Sequence, residues 1–398
     1  MVRQTMLLLI IIQVLLMMTG CWNRREMNEL SIASAIGLDK AGDQVRVTAQ
    51  VINPGEVAST KGGGGQSPVI LYHETADTVF EALRKMSSTA PRKIYLAHLR
   101  VLVIGESLAR KGVGKELELF YRDQELVPDF YVTVARDSTA ENTLKVLTGI
   151  DKVPAVKIFR SLEASAKAWA PTVTFTLDDL IDGFESEGKA TVLTGIRTTG
   201  DSKAGGSPKN VEVTDPNVRL KVFGLAAFKR DKLIGWLNEE ESKGYNYITN
   251  HIKSTVGYNP CPDGGKVVIE VIRSKSKIKS INNNGIRTVR VSVRTEMNIG
   301  AVQCKLNLLD PKTIADIEKQ SEIKEIEFIE AAVDKAQKEL HADVFGFGDA
   351  IARADPKAWK QLKNNWDEAF SSLPVQVDVQ VKVRNVGTVT KSYVNDLD

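Results

Sequence analysis

The residues of this chain that could do chemistry are four histidines, three cysteines and several runs of acids. A zinc site needs His or Cys ligands in closely spaced pairs. His73, His98, His251 and His341 stand alone, with no second His or Cys at ligand spacing. No G-x-S-x-G nucleophile elbow occurs. "GVGKELELF" has a Gly-Lys but neither the spacing nor the hydroxyl of a phosphate loop. "KGGGGQS" has four glycines and no helix behind it to receive a phosphate, so it reads as loop. In "LDDLIDGFESEG" five acids, Asp178, Asp179, Asp182, Glu185 and Glu187, lie close together, which suggests a calcium site. The spacing is not that of an EF-hand loop. Leu177, Leu180, Ile181 and Phe184 instead mark the buried face of a short helix, with the acids on its wet side. The chain therefore offers no catalytic set, no cofactor site and no metal site.

The one reactive residue with a clear context is Cys21. Thirteen uncharged residues, Met6 to Met18, precede Thr19-Gly20-Cys21, and a polar stretch follows at once. A membrane-crossing helix needs about 20 apolar residues, so this run is too short to span. Its length fits the apolar core of a secretory signal. Met18-Thr19-Gly20-Cys21 resembles a bacterial lipobox. There the cysteine thiol takes a diacylglycerol, the signal at 1–20 is removed, and the new amino terminus is acylated. The alternative is an ordinary cleaved signal with a chance cysteine. Two or more acyl chains make a stable anchor where one is marginal.

With 398 residues, two or three folded units are expected. The net charge of +3 comes from scattered Lys, Arg, Asp and Glu, with no basic face for nucleic acid. Along the body, Leu30–Asp39 reads as a strand, Lys40–Asp43 as a turn, and Gln44–Ile52 alternates as a half-buried strand. Thr78–Ser87 and Ser107–Tyr121 read as helices. "KIYLAHLRVLVIGE" reads as one buried strand that places His98 beside Ile94 and Leu96, and "DFYVTVAR" as another. The Gly- and Ser-rich stretch 198–214 reads as a linker between an N-terminal unit, 21–197, and a C-terminal unit, 215–398. A long hairpin loop is the alternative there.

Beyond it lie a strand at Val218–Phe228 and a ribbon, Lys266–Ile272 with Arg287–Met297, closed by Asn-Gly in "INNNGI". A long helix is expected over Pro311–His341, about 45 Å at 1.5 Å per residue. Asp355-Pro356 starts a further helix. Trp359, Trp366 and Phe370 share one face of it, which reads as core ahead of a partner surface. "VQVDVQVKV" is an amphipathic strand. If Asn283 faces Asn284 across the ribbon, Cys261 and Cys304 stand nearly level at its open end. An extracytoplasmic location would permit a disulfide between them. The expected class is α+β, with mixed and antiparallel sheets, packed helices and one long helix near the C-terminal end.

Several blocks resemble the Ger(x)C family, the C subunits of spore germinant receptors. They are "GCWNRREMNELSIASAIGLDK", "AHLRVLVIGESLARKGVGKELELFYRD", "GLAAFKRDKLIGWLNEEES", "DVFGFGDAIAR" and "KAWKQLKNNWDEAF". They span almost the whole chain in the family's order. The resemblance implies a lipoprotein with Cys21 as its attachment residue and no catalytic residue. It implies a place on the outer face of the spore inner membrane, beside an A-type subunit and a permease-like B-type subunit. Those receptors respond to nutrients such as amino acids or sugars. The resemblance does not say whether this subunit touches the nutrient. A solute-binding lipoprotein feeding a transporter is the alternative, and it would show a polar ligand cleft between two lobes. A surface hydrolase would need a nucleophile or metal set that is not visible.

Overall fold

The computed structural model describes residues 3–6, 13, 29–58, 66–283 and 286–387. Cys21 lies outside them, as do most of "KGGGGQS" and the Asn284-Gly285 pair of the ribbon. The architecture is α+β, with two sheets and packed helices.

The first sheet begins with an antiparallel trio, β1 (Leu30–Ala41), β2 (Gln44–Ile52) and β3 (Val69–Ala76). Gly42, at φ 63°, makes the turn between the first two. Beside β1 run parallel strands β5 (Val101–Gly105), β6 (Tyr131–Ala135) and β7 (Thr191–Thr199). The short β4 (Lys93–Tyr95) pairs with the start of β1. Antiparallel β8 (Arg219–Lys229) and β9 (Lys232–Leu237) complete the sheet.

Helices cover both faces. Alternation along the strands divides the core between them: Ile36, Leu102 and Ile104 face one layer, Ala35, Val101 and Val103 the other. The first layer holds α1 (Val79–Lys85), α2 (Glu106–Lys111), α3 (Gly114–Arg122) and α6 (Leu177–Glu185). The second holds α4 (Ala140–Lys145) and α5 (Pro154–Ala168). Double coverage explains why β2 is not half-buried as its alternation suggests. Thr48 and Gln50, on its polar side, are buried as well. Gln50 Nε2 donates to the Leu144 carbonyl at 2.9 Å, and its Oε1 accepts from Ser34 Oγ and the Ala155 N–H, both at 3.1 Å.

Three expectations are corrected here. "KIYLAHLRVLVIGE" is two strands, because a turn closed by Leu99 N–H on the Leu96 carbonyl (3.0 Å) interrupts it. His98 sits in that turn, exposed, and not on a strand face. The helix expected over 107–121 breaks at Gly112, whose φ of 122° no helix accommodates. The stretch 198–214 joins two neighbouring antiparallel strands, β7 and β8, in the manner of a long hairpin loop. Strands β8 and β9 thus belong to the first sheet although they follow it in sequence.

The second sheet has the order β10 (Thr255–Pro260), β11 (Lys266–Asn283), β12 (Ile286–Val302), β13 (Val375–Asn385). Asn283 pairs with Ile286, one step along from the expected facing of Asn283 and Asn284. The strand "VQVDVQVKV" lies parallel to β12, with Val381 buried and Gln376, Asp378 and Gln380 exposed. Between the sheets run α7 (Glu239–Ile248) and the long α8 (Pro311–Asp334). Helix α8 continues as a wider turn, Lys335–Leu340, ending at His341 in the left-handed region. The helix expected from Pro356 is broken into α10 (Pro356–Leu362) and α11 (Trp366–Ser371), preceded by α9 (Phe347–Ala354). One hydrophobic cluster spans the junction, from Val192, Leu225 and Leu237 of the first sheet to Val271, Val289 and Val291 of the second.

Candidate functional site

The polar groups worth testing as a site meet where the two sheets join. The loop before α9 is organised by one wholly buried carboxylate, Asp343. Its Oδ1 accepts from the N–H of Phe345 (3.0 Å) and Gly346 (2.9 Å), and its Oδ2 from Gly348 (2.8 Å). Burial pushes this carboxyl up to about 6, against the lowering effect of those backbone donors. The same residue reaches the first sheet, because the Ala190 N–H donates to the Asp343 carbonyl at 2.7 Å. Glycines let the two segments touch. A Cβ on Gly348 would lie 2.6 Å from the Gly188 carbonyl oxygen and 2.9 Å from the Trp359 ring. Two ion pairs cross the same joint: Lys363 to Glu187 at 3.0 Å and Lys229 to Asp367 at 2.6 Å. They border a cavity of about 610 Å³ whose walls include Lys189, Arg230 and Trp366.

A second buried acid lies deeper. Glu325 of α8 accepts from Thr295 Oγ1 of β12 at 2.8 Å and shares a hydrogen bond with Tyr247 of α7. Burial pushes its carboxyl up to about 8. It ties three elements through neutral hydrogen bonds. His251 stacks on Tyr245 at 6.1 Å and bonds Thr249 Oγ1 at 2.8 Å. Burial lowers it to about 4, which leaves it neutral and poorly placed to act as a base at pH 7.

The remaining candidates fall apart as chemistry. His73 is exposed, 3.9 Å from Glu141, and His341 bonds Ser371 at 3.2 Å. In α6, Leu177 and Leu180 face the core, and Asp179 closes a capping box with Thr176. Trp359, Trp366 and Phe370 pack in the junction core, with ring centroids 5.3 and 6.0 Å apart in sequence. Among the described residues no group of three His, Cys, Asp or Glu could hold a metal ion, and no helix is long and apolar enough to cross a membrane. The joint was not legible as a site, since its groups come from four separate stretches. Its only signal was "DVFGFGDAIAR", visible as a resemblance and not as chemistry.

At the far end of the second sheet, Cys261 and Cys304 form a disulfide in the structure, with Cα atoms 6.4 Å apart. Cys261 lies in the turn from β10 to β11, not in the ribbon itself, and Cys304 lies two residues past β12. The bridge thus clips three strands around a small core of Val267, Ile269, Met297 and Ile317. We expect alkylation without reduction to leave both thiols unlabelled in the full-length protein. Their joint replacement by Ser should cost about 2–4 kcal/mol, measured by urea unfolding. Two labelled thiols would rule the bridge out.

The arrangement defines a class before any comparison: a two-sheet α+β protein whose buried polar groups hold its parts together. Two family models cover most of the chain. "Spore germination protein N-terminal domain" matches residues 23–198, and "Spore germination B3/GerAC like, C-terminal" matches 223–387. Spore germination protein KC of Bacillus subtilis (strain 168) is 35% identical, over 97% of each chain. Spore germination protein B3 of the same organism is 28% identical, over 95% of this chain and 96% of that one. A solved structure titled "Crystal Structure of the GerBC protein" superposes with a TM-score of 0.54 at 21% identity, covering 88% of this chain and 97% of that one, and so shares the fold. The chain belongs to this family of spore germination proteins, the germinant receptor C subunits.

Proposed function

We propose that the chain is a lipid-tethered, non-enzymatic C subunit of a nutrient germinant receptor. Its body stands on the outer face of the spore inner membrane and works by contact with membrane-embedded A-type and permease-like B-type subunits. The observation that carries this reading is the full-length likeness to spore germination protein KC. The joint supports it: the "DVFGFGDAIAR" block is spent on fixing two sheets to each other through Asp343, not on presenting a nucleophile. Anchoring confines the body to a plane and raises its effective concentration near partners, so modest interface energy suffices.

The cavity at the joint, polar and walled by the first sheet's edge on one side and by the segments around Asp343 and α11 on the other, favours one second reading, a solute-binding lipoprotein. Purification from detergent-solubilised dormant-spore membranes separates the two. Recovery of a permease-like subunit in stoichiometric yield is expected. A tightly held small solute with no membrane partner would replace the first reading by the second.

A further inference from the structure

A groove of about 1020 Å³ runs between α1 and α3 on the first sheet, well away from the joint. Its floor is apolar, with Leu83, Ile94 and Leu119. Phe80 stands on its rim, 51% exposed. Arg84 lies over the Phe80 ring at 5.0 Å. The rim charges do not cancel. Lys93 is paired with Glu125 and Arg122 with Glu118. Asp123 turns its Oδ1 to the Glu125 N–H at 2.9 Å. That bond leaves the Asp123 charge in place, so the lining sets four cations against three acids; among the described residues Arg84 and Lys115 have no acid within ion-pair distance, and the mouth is net positive by one charge.

The groove's position narrows its occupant. Leu30 pairs with Lys93 and Ser31 with Ile94, so the chain enters the fold alongside the groove. Nine steps separate Cys21 from Leu30, which extended span at most about 30 Å. On the reading that Cys21 is lipidated, the groove is held within that distance of the bilayer surface. Its walls are two helices, so recognition there comes from side chains, as when an amphipathic helix lies in an apolar groove.

We infer that this groove receives an amphipathic helix from the extramembrane part of a membrane-embedded partner subunit. That helix would have apolar residues at i, i+3 or i+4 and i+7, flanked by Asp or Glu facing Arg84 and Lys115. The inference rests on the proposed receptor role and adds the surface and the chemistry of its ligand.

The test places a photo-crosslinking residue at Phe80 in the full-length protein in spores. Co-purification of the uncrosslinked wild type with a membrane subunit serves as the control. The expected adduct maps to an acidic, amphipathic extramembrane segment of that subunit. The double variant Arg84→Glu/Lys115→Glu should lower the adduct yield about tenfold without moving the thermal unfolding midpoint. Adducts to lipid or to a second copy of this chain would overturn the inference. So would wild-type co-purification with no adduct, and that outcome leaves the receptor role standing. Failure of the wild type to co-purify with any membrane subunit removes the receptor role, and the inference with it.

Discussion

Replacing Cys21 by Ala is expected to move the protein from the spore membrane fraction into the soluble fraction after an alkaline carbonate wash. Each buried methylene contributes about 0.8 kcal/mol, a single myristoyl chain gives only marginal, reversible binding, and two chains hold a protein stably. On the proposed lipidation, diacylglycerol plus an N-acyl chain would place this protein on the stable side, and the variant would have none of the three. Among the described residues no helix is long and apolar enough to cross a membrane. Once the apolar leader is removed, protein–protein contacts would have to retain the body, and the wash strips such peripheral contacts. Nutrient-triggered germination should slow by at least the factor lost in effective concentration, commonly about 10²–10⁴ for a tether. Intact-mass measurement of the wild type should show Cys21 as a modified first residue. A Cys21→Ala protein that stays in the washed membranes would contradict the anchor.

How far the fold could be read in advance depended on whether a signal was local. The alternation of Gln44–Ile52 and of "VQVDVQVKV" located β2 and β13, because strand period is written in neighbouring residues. The burial of Thr48 and Gln50 was not local. It arises from α4 and α5, about a hundred residues away, whose Leu144 and Ala155 backbones satisfy the Gln50 amide. His98 was misplaced because the apolar run hides a turn with no Gly or Pro to announce it. The stretch 198–214 has a linker's composition, yet the strands on either side pair with each other, and composition carries no information on pairing.

The candidate site follows the same division. Cys21 could be put forward from the sequence because a lipobox is a contiguous signal, and it lies outside the described residues. The joint was not, since Asp343, Ala190, Glu187, Lys363 and Lys229 become neighbours only when the sheets dock. The pairing of Cys261 with Cys304 lies between these cases. The register of β11 against β12 brings Val267 level with Val302, but Cys261 reaches Cys304 from the turn before β11. The groove gave no signal at all. Phe80 and Leu119 lie on separate helices, and each alone looks like an ordinary amphipathic position.

Glu325→Gln is expected to flatten the stability of the protein between pH 6.5 and 8. Burial raises the Glu325 carboxyl to about 8 in the folded state, against an ordinary 4.5 in the unfolded chain. In that interval the folded protein keeps a proton that the unfolded chain has released. Raising the pH therefore favours unfolding until the folded carboxyl itself ionises near 8. Asp343, raised to about 6, acts in the same sense at lower pH. His251, lowered to about 4 from 6.5, acts in the opposite sense, since it is neutral when folded and charged when unfolded. Above pH 6.5 only the tails of these two titrations remain, small and opposite in sign, and Glu325 dominates, for a loss on the order of 2 kcal/mol. Gln keeps the shape and an oxygen to accept from Thr295 Oγ1, while the Tyr247 hydroxyl can accept from its amide. It carries no charge to release. Urea unfolding of the full-length protein in detergent at several pH values should show wild type weakening toward pH 8 and the variant level across the range. Parallel slopes would place the titrating group elsewhere. Because Glu325 on α8 hydrogen-bonds to α7 and β12, its ionisation loosens the packing of these three elements.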